Sequence, residues 1–186
     1  MFRPSYPIHT RRLTLRPFTM GDLDPVWGYQ RLPEVAEHML WDPRDLVRVK
    51  VALERMVKED RLAAEGDCLS LAVVDRERGV LVGQVELVWL SDRHRQGEIG
   101  YVLDPRHQGA GFATEAAREV LRLGFEGLRL HRIVGRCSAA NTPSAALLER
   151  LGMRREAHFR QSALVKNAWR DELVYAMLRE DWLQSL

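Results

Sequence analysis

Only 2 cysteines occur among the 186 residues, Cys68 and Cys137, and they form no closely spaced pair. Two thiols make no disulfide framework, so a reduced, cytoplasmic setting is the expectation. The 6 histidines are scattered, with no HxxxH and no CxxC, and no metal site is expected. No apolar run approaches the roughly 20 residues that a membrane-crossing helix requires. The opening Met1-Phe2-Arg3-Pro4 begins no secretory apolar segment either. Charge of one sign is also scarce: 28 Lys and Arg against 26 Asp and Glu leave a formal +2. Nucleic-acid binders usually carry a basic stripe, so neither nucleic acid nor membrane is expected as a partner.

What is present reads as one soluble domain over 1–186, with 46% hydrophobic and 29% charged residues and enough chain to bury a core. Residues 11–18 alternate apolar and polar and give a half-buried strand that stops at Pro17. Residues 20 to about 64 read as two helical pieces broken around Trp41-Asp42-Pro43. The second piece offers Val47, Val51, Leu53, Met56, Val57 and Leu62 as its apolar side. Strands follow at 69–75 and 80–89, joined by the hairpin signal Arg76-Glu77-Arg78-Gly79, and a third at 98–103 after a polar turn. A helix over about 113–128 and a strand over 131–139 come next. Thr142 then suits an N-cap and Pro143 a first helical position, with Gly152 as the stop. Two last strands fall near 153–161 and 171–178. The order implies an α/β (α+β) fold on a mixed sheet.

The densest information lies in Arg106-His107-Gln108-Gly109-Ala110-Gly111, between an apolar strand ending at Asp104-Pro105 and the helix of 113–128. A strand, a glycine-containing loop and a helix N-terminus present unpaired amides, which suit a pyrophosphate. Gly109 and Gly111 permit close backbone approach where a Cβ would clash. The loop is not the dinucleotide fingerprint, because Thr114 occupies the place of its third glycine, and no GKS or GKT follows. A plain strand-to-helix turn is the competing reading.

Four stretches, TRRLTLRPF, GEIGYVLDPRHQGAGFATEA, NTPSAALLERLGM and WRDELVYAML, stand in one order along nearly the whole chain. In that order they resemble the GNAT superfamily of N-acetyltransferases, in particular the branch containing the ribosomal-protein N-terminal acetyltransferases RimJ and RimL. The resemblance implies a GNAT fold, a mostly antiparallel sheet of about seven strands flanked by about four helices. It implies acetyl-CoA as acyl donor, with Tyr101, Val102 and Leu103 bonding the pantetheine arm. The loop and helix start, namely Arg106, His107, Gln108, Gly109, Ala110, Gly111, Ala113 and Thr114, would hold the pyrophosphate. Asn141 matches a family asparagine that contacts the cofactor.

The implied reaction is direct attack of a neutral primary amine on the thioester. Neither cysteine has a histidine partner in view, which argues against an acyl-enzyme. Deprotonating a lysine amine at pH 7 costs about 4–5 kcal/mol, an α-amine only about 1. Glu98 is the candidate base, with a solvated or ion-paired strand residue as the alternative. Ser144, three residues after Asn141, is the candidate acid for the departing thiolate, with a first-turn serine bonding backbone amides as the alternative. Many relatives place a tyrosine seven residues after that asparagine; here the position is Leu148. Trp41, Trp89 and Trp169 are candidate acceptor-cleft walls, and Arg16 and Arg170 candidate carboxylate ligands. The acceptor is open between a protein N-terminus and a small-molecule amine. A larger acyl donor such as succinyl-CoA, a non-catalytic acyl-CoA-binding module and homodimer formation stay open as well.

Overall fold

The computed structural model describes residues 1–185. One eight-stranded sheet runs in the order β1-β2-β3-β4-β5-β6-β8-β7. Its strands are β1 (Ile8–His9), β2 (Leu13–Pro17), β3 (Cys68–Asp75), β4 (Val80–Ser91), β5 (Gln96–Leu103), β6 (Arg132–Ser138), β7 (Arg154–Val165) and β8 (Ala168–Leu178). Among the described residues the helices are α1 (Leu23–Gln30), α2 (Pro33–Ala36), α3 (Leu46–Met56), α4 (Phe112–Arg122), α5 (Thr142–Arg150) and α6 (Arg179–Gln184). This is the expected mixed, mostly antiparallel architecture, with β1 and two short helices beyond the approximate counts read from sequence.

Apolar residues on the two faces of the sheet build two cores. Leu13, Leu15, Leu69, Leu71, Val85 and Leu87 pack with Ala116, Val120 and Leu121 of α4 and Leu147 and Leu148 of α5. On the opposite face Ala72 and Leu81 meet Val26 and Tyr29 of α1 and Val49, Leu53 and Met56 of α3. The α3 stripe corrects the sequence reading. Val49, Leu53 and Met56 follow helical spacing and are buried, whereas Val47 and Val51 are 72% and 63% exposed. The helical reading of 20–64 also overran. Pro33 opens a separate short helix, Asp45 caps α3 by accepting from the Arg48 amide, and α3 ends at Met56. The helix expected to 128 changes winding at Leu123, continuing as a π turn over Leu123–Gly127. Helix α5 is capped by Asn141, one residue before the expected Thr142, through a 3.1 Å bond from the Ser144 amide.

A single parallel pairing organises the middle of the sheet. Strand β6 lies parallel to β5 only from Gln96 opposite Arg132 to Ile99 opposite Gly135. Beyond that point β5 continues to Leu103 bonded to β4 alone, and β6 continues to Ser138 bonded to β8 alone. The two strands part, and the first turn of α5 faces the opening through a 2.8 Å bond between Ser144 Oγ and Tyr101 Oη.

The β4–β5 side of this opening tolerates no extra atom at Gly83. A Cβ there would press directly on the Val102 carbonyl oxygen and lie 3.0 Å from Leu103 Cα, both backbone. Gly83→Ala is therefore expected to cost roughly 1–3 kcal/mol, read as a lower urea midpoint at unchanged slope. An unchanged midpoint would show that β5 yields freely.

Candidate active site

The loop after β5 is shaped by its own acid. Asp104 is 1% exposed, and its carboxylate accepts from the Arg106 amide and guanidinium, the latter at 2.6 Å. Burial opposes its ionisation, yet the bonds from Arg106 hold the carboxyl below its usual range. Arg106 is thereby folded back on Asp104. The chain then passes Gly109 and Gly111 at φ of 78° and 79°, a left-handed backbone that favours glycine. A Cβ at Gly109 would meet nothing within 4 Å, so that backbone faces open space. No side chain caps α4 at Gly111, and among the described residues the amides from Gly109 to Thr114 donate to no protein acceptor. Free amides at a helix start, aligned with its dipole, form an anion site.

A clamp from the β1–β2 connection fixes that loop. Glu115, in the first turn of α4, accepts from Thr10 Oγ1 at 2.6 Å and from the Arg12 amide and Nε, each at 2.7 Å. Arg12 also donates to the Ala110 carbonyl at 2.8 Å and lies over the Phe112 ring. Burial pushes the Glu115 carboxyl up, but these bonds outweigh it and hold it low.

A cleft of about 1150 Å³ extends from this loop along β5 and through the opening between β5 and β6. Of the residues expected at the cofactor, Tyr101, Val102, Leu103, Gln108, Gly109, Gly111, Ala113, Thr114 and Asn141 line it, joined by Phe112. Arg106, His107 and Ala110 do not. Arg106 is committed to Asp104, and the Ala110 carbonyl to Arg12. Burial keeps the Tyr101 phenol protonated, pushed up to about 12, so it is a donor beside Ser144. Cys137 also faces the cleft, its thiol pushed up by burial, which suits no nucleophilic role.

Both expected catalytic residues line the cleft. Glu98 Oε2 lies 3.3 Å from Arg136 Nε, and the same guanidinium reaches Glu172 at 3.5 Å. Burial nevertheless pushes the Glu98 carboxyl up, against the pull of Arg136. Of the tryptophans only Trp41 lines the cleft, with Arg44 stacked on it at 4.4 Å. Trp169 is 61% exposed, and Trp89 buries its indole nitrogen elsewhere. Arg16 pairs with Asp22 rather than facing the cleft, whereas Arg170 lines it. The tip of the β7–β8 hairpin closes one end, where Lys166 donates to the Ala36 carbonyl of α2 at 2.6 Å.

One cleft carboxylate escaped the sequence reading. Glu86 of β4 lies beneath Gly100, and its only protein hydrogen bond among the described residues comes from Gln84 Nε2, 2.9 Å from Oε1. In sequence it is one polar residue in an alternating strand, with nothing to separate it from a solvated position.

Comparison with known proteins agrees with this geometry. A family model described as an acetyltransferase (GNAT) domain matches residues 12–154. An N-acetyltransferase of Bacillus subtilis, YnaD, is 33% identical over 175 residues, covering 94% of this chain and 98% of its own length. A spermidine N(1)-acetyltransferase of Vibrio cholerae is 29% identical over 111 residues, 60% of this chain and 64% of that enzyme. The crystal structure of a GNAT-family acetyltransferase from Bacillus anthracis superposes with a TM-score of 0.82 at 30% identity, covering 97% and 99% of the two chains. A sheet parted beside a bare helix N-terminus offers strand-edge partners and an anion site in one cleft. The chain belongs to the GNAT family of acetyl-CoA-dependent N-acetyltransferases.

The Glu115 clamp makes a pH prediction. A carboxyl whose folded pKa is depressed stabilises fully above its unfolded value of about 4.3 and loses that contribution as pH falls toward the folded value. Wild type should therefore lose more stability than Glu115→Gln below roughly pH 4. Parallel acid unfolding curves would refute the clamp's electrostatic role.

Proposed function

We propose that the protein transfers an acetyl group from acetyl-CoA to a primary amine, either a protein N-terminus or a small-molecule amine. The observation that carries this reading is the continuity of the cleft. The unpartnered edge of β5, from Gly100 to Leu103, leads directly to the uncapped amides of α4. A neutral amide-bearing arm needs backbone partners along its length, and phosphates need a local dipole rather than many lysines. The residues present fit acetyl-CoA on both counts. When bound, it supplies the activated acyl group.

The chain's own groups divide the remaining work. Tyr101, Val102 and Leu103 offer main-chain partners to the arm, and Gly109 through Thr114 offer amides to the pyrophosphate. Asn141, in the cleft lining, caps α5 through its Oδ1, which leaves its amide nitrogen free to donate. The Tyr101 phenol can donate to Ser144 Oγ, which turns the serine hydrogen toward the leaving sulfur and stabilises the thiolate. That pair replaces the family tyrosine absent at Leu148. The amine proton passes to a carboxylate in the cleft, where Glu98 and Glu86 are both available. Arg136 stands between Glu98 and Glu172, which occupy its charge. Arg136 is therefore no free partner for a carboxylated acyl group, which favours acetyl over succinyl.

Thiol release from acetyl-CoA across N-terminal peptides, a lysine peptide, polyamines, aminoglycosides and amino acids tests the reading. Amine-dependent release by one class is expected. Silence across the panel, with acetyl-CoA still raising the melting temperature, would favour a binding-only module. Gly109→Val and Gly111→Val should each abolish acetyl-CoA binding in calorimetry, and retained binding by both would refute the phosphate loop. Ser144→Ala and Tyr101→Phe should each lower kcat by up to roughly 10²-fold at unchanged acetyl-CoA affinity. The double variant should be no slower than the worse single one, and additive losses would separate the two hydroxyls.

A further inference from the structure

Resting on the transferase reading above, we propose that Glu86, rather than Glu98, receives the acceptor's ammonium group and takes its proton. The two carboxylates lie on the same face of the sheet, one on β4 and one on β5, but in opposite electrostatic conditions. Glu98 already holds a cation, Arg136, which lowers both its basicity and its room for an incoming ammonium. Glu86 forms no ion pair among the described residues, and its single hydrogen bond leaves Oε2 unengaged.

A chain of amides fixes this arrangement. Arg44 donates to Gln30 Oε1 at 2.8 Å, which directs the Gln30 nitrogen to Gln84 Oε1 at 3.1 Å. Tyr29 donates to the same Gln84 oxygen at 2.8 Å. With its oxygen doubly committed, Gln84 can present only its nitrogen to Glu86 Oε1. The buried network thus aims one carboxylate oxygen at a protein donor and keeps the other for a ligand.

Gly100 opens the window to that oxygen. It pairs directly with Glu86 across β4 and β5, and a Cβ built on it would lie 3.3 Å from Glu86 Oε2. Gly100 is also the first residue of β5 past the end of the parallel pairing. The bare carboxylate oxygen therefore faces the cleft where the acyl-binding edge begins, and both residues line it.

The surroundings suit a base. Burial pushes the Glu86 carboxyl up, Glu59 adds to this, and Arg55 and Arg44 oppose it. The phenol of Tyr29 and the thiol of Cys68 also feel the Glu86 charge, and burial keeps both protonated. An elevated carboxyl is a stronger proton acceptor than an ordinary one. The balance closes as follows: one N–H bond of the ammonium breaks as O–H forms on Glu86 Oε2, and the freed lone pair makes the C–N bond. The C–S bond breaks, the second amine proton ends on the thiolate beside Ser144, and Glu86 returns its proton to water.

The test compares wild type, Glu86→Gln, Glu98→Gln and Gly100→Ala, using the amine found in the panel above. The readouts are kcat/KM against pH, acetyl-CoA affinity by calorimetry, and carboxyl ¹³C titration by NMR. Glu86→Gln should lower kcat/KM by roughly 10²-fold or more and remove the acid limb of the profile, with acetyl-CoA affinity unchanged. Gly100→Ala keeps the carboxylate but covers it, and should lower kcat/KM by more than any change in acetyl-CoA affinity accounts for. Glu98→Gln should keep the acid limb. The Glu86 resonance, assigned by its loss in Glu86→Gln, should titrate above the ordinary glutamate range. Full activity in Glu86→Gln, or loss of the acid limb in Glu98→Gln alone, would overturn the assignment. A wild type that binds acetyl-CoA but acetylates no amine would instead overturn the transferase reading, and this one with it.

Discussion

The interaction on which the site depends is one that stops. Strands β5 and β6 pair in parallel for four residues and then separate after Ile99 and Gly135. An interior strand edge normally has every amide and carbonyl satisfied by its neighbour. Here four residues of β5 lose that neighbour inside the fold, and the exposed edge becomes the part of the molecule best able to bind an extended amide-bearing ligand. The helices on each side arrange themselves about this gap, with α5 turning its first residues into it and α4 starting where β5 ends.

Neutral electrostatics follow from the same design. The free amides at α4 form an anion site without a cluster of lysines, and the chain keeps its near-zero net charge. The charges close to the loop are spent on geometry instead. Asp104 folds Arg106 back on itself, and Glu115 with Arg12 ties the loop to the β1–β2 connection. Both acids are held ionised by their partners, so the loop is braced over the neutral range and loosened only in acid.

Much of the fold was legible in the chain. Period-two alternation located β2, a hairpin signal located β3 and β4, an apolar run located β5, and the glycine loop ahead of a helical stripe located α4. These signals are local: they follow from which side chains must face a core. The misreadings came where tertiary contacts chose between local options. Val47 and Val51 look as apolar as Val49, but only the face presented to Ala72 and Leu81 is buried. Asn141 and Thr142 are both good caps, and the start of the helix decided between them. Arg106 sits in the loop motif but is drawn away by an acid two residues earlier.

The catalytic chemistry divides along the same line. The sequence by itself determined the family and the position of the glycine loop, because these rest on contiguous residues. Only the tertiary structure decided what surrounds each ionisable group. It brought Arg136 to Glu98, set Tyr101 against Ser144 from another element, and left Glu86 under a glycine window with one oxygen unengaged. Proton affinity depends on burial and on neighbours far away in the chain, so a carboxylate's role becomes readable only once the sheet has assembled around it.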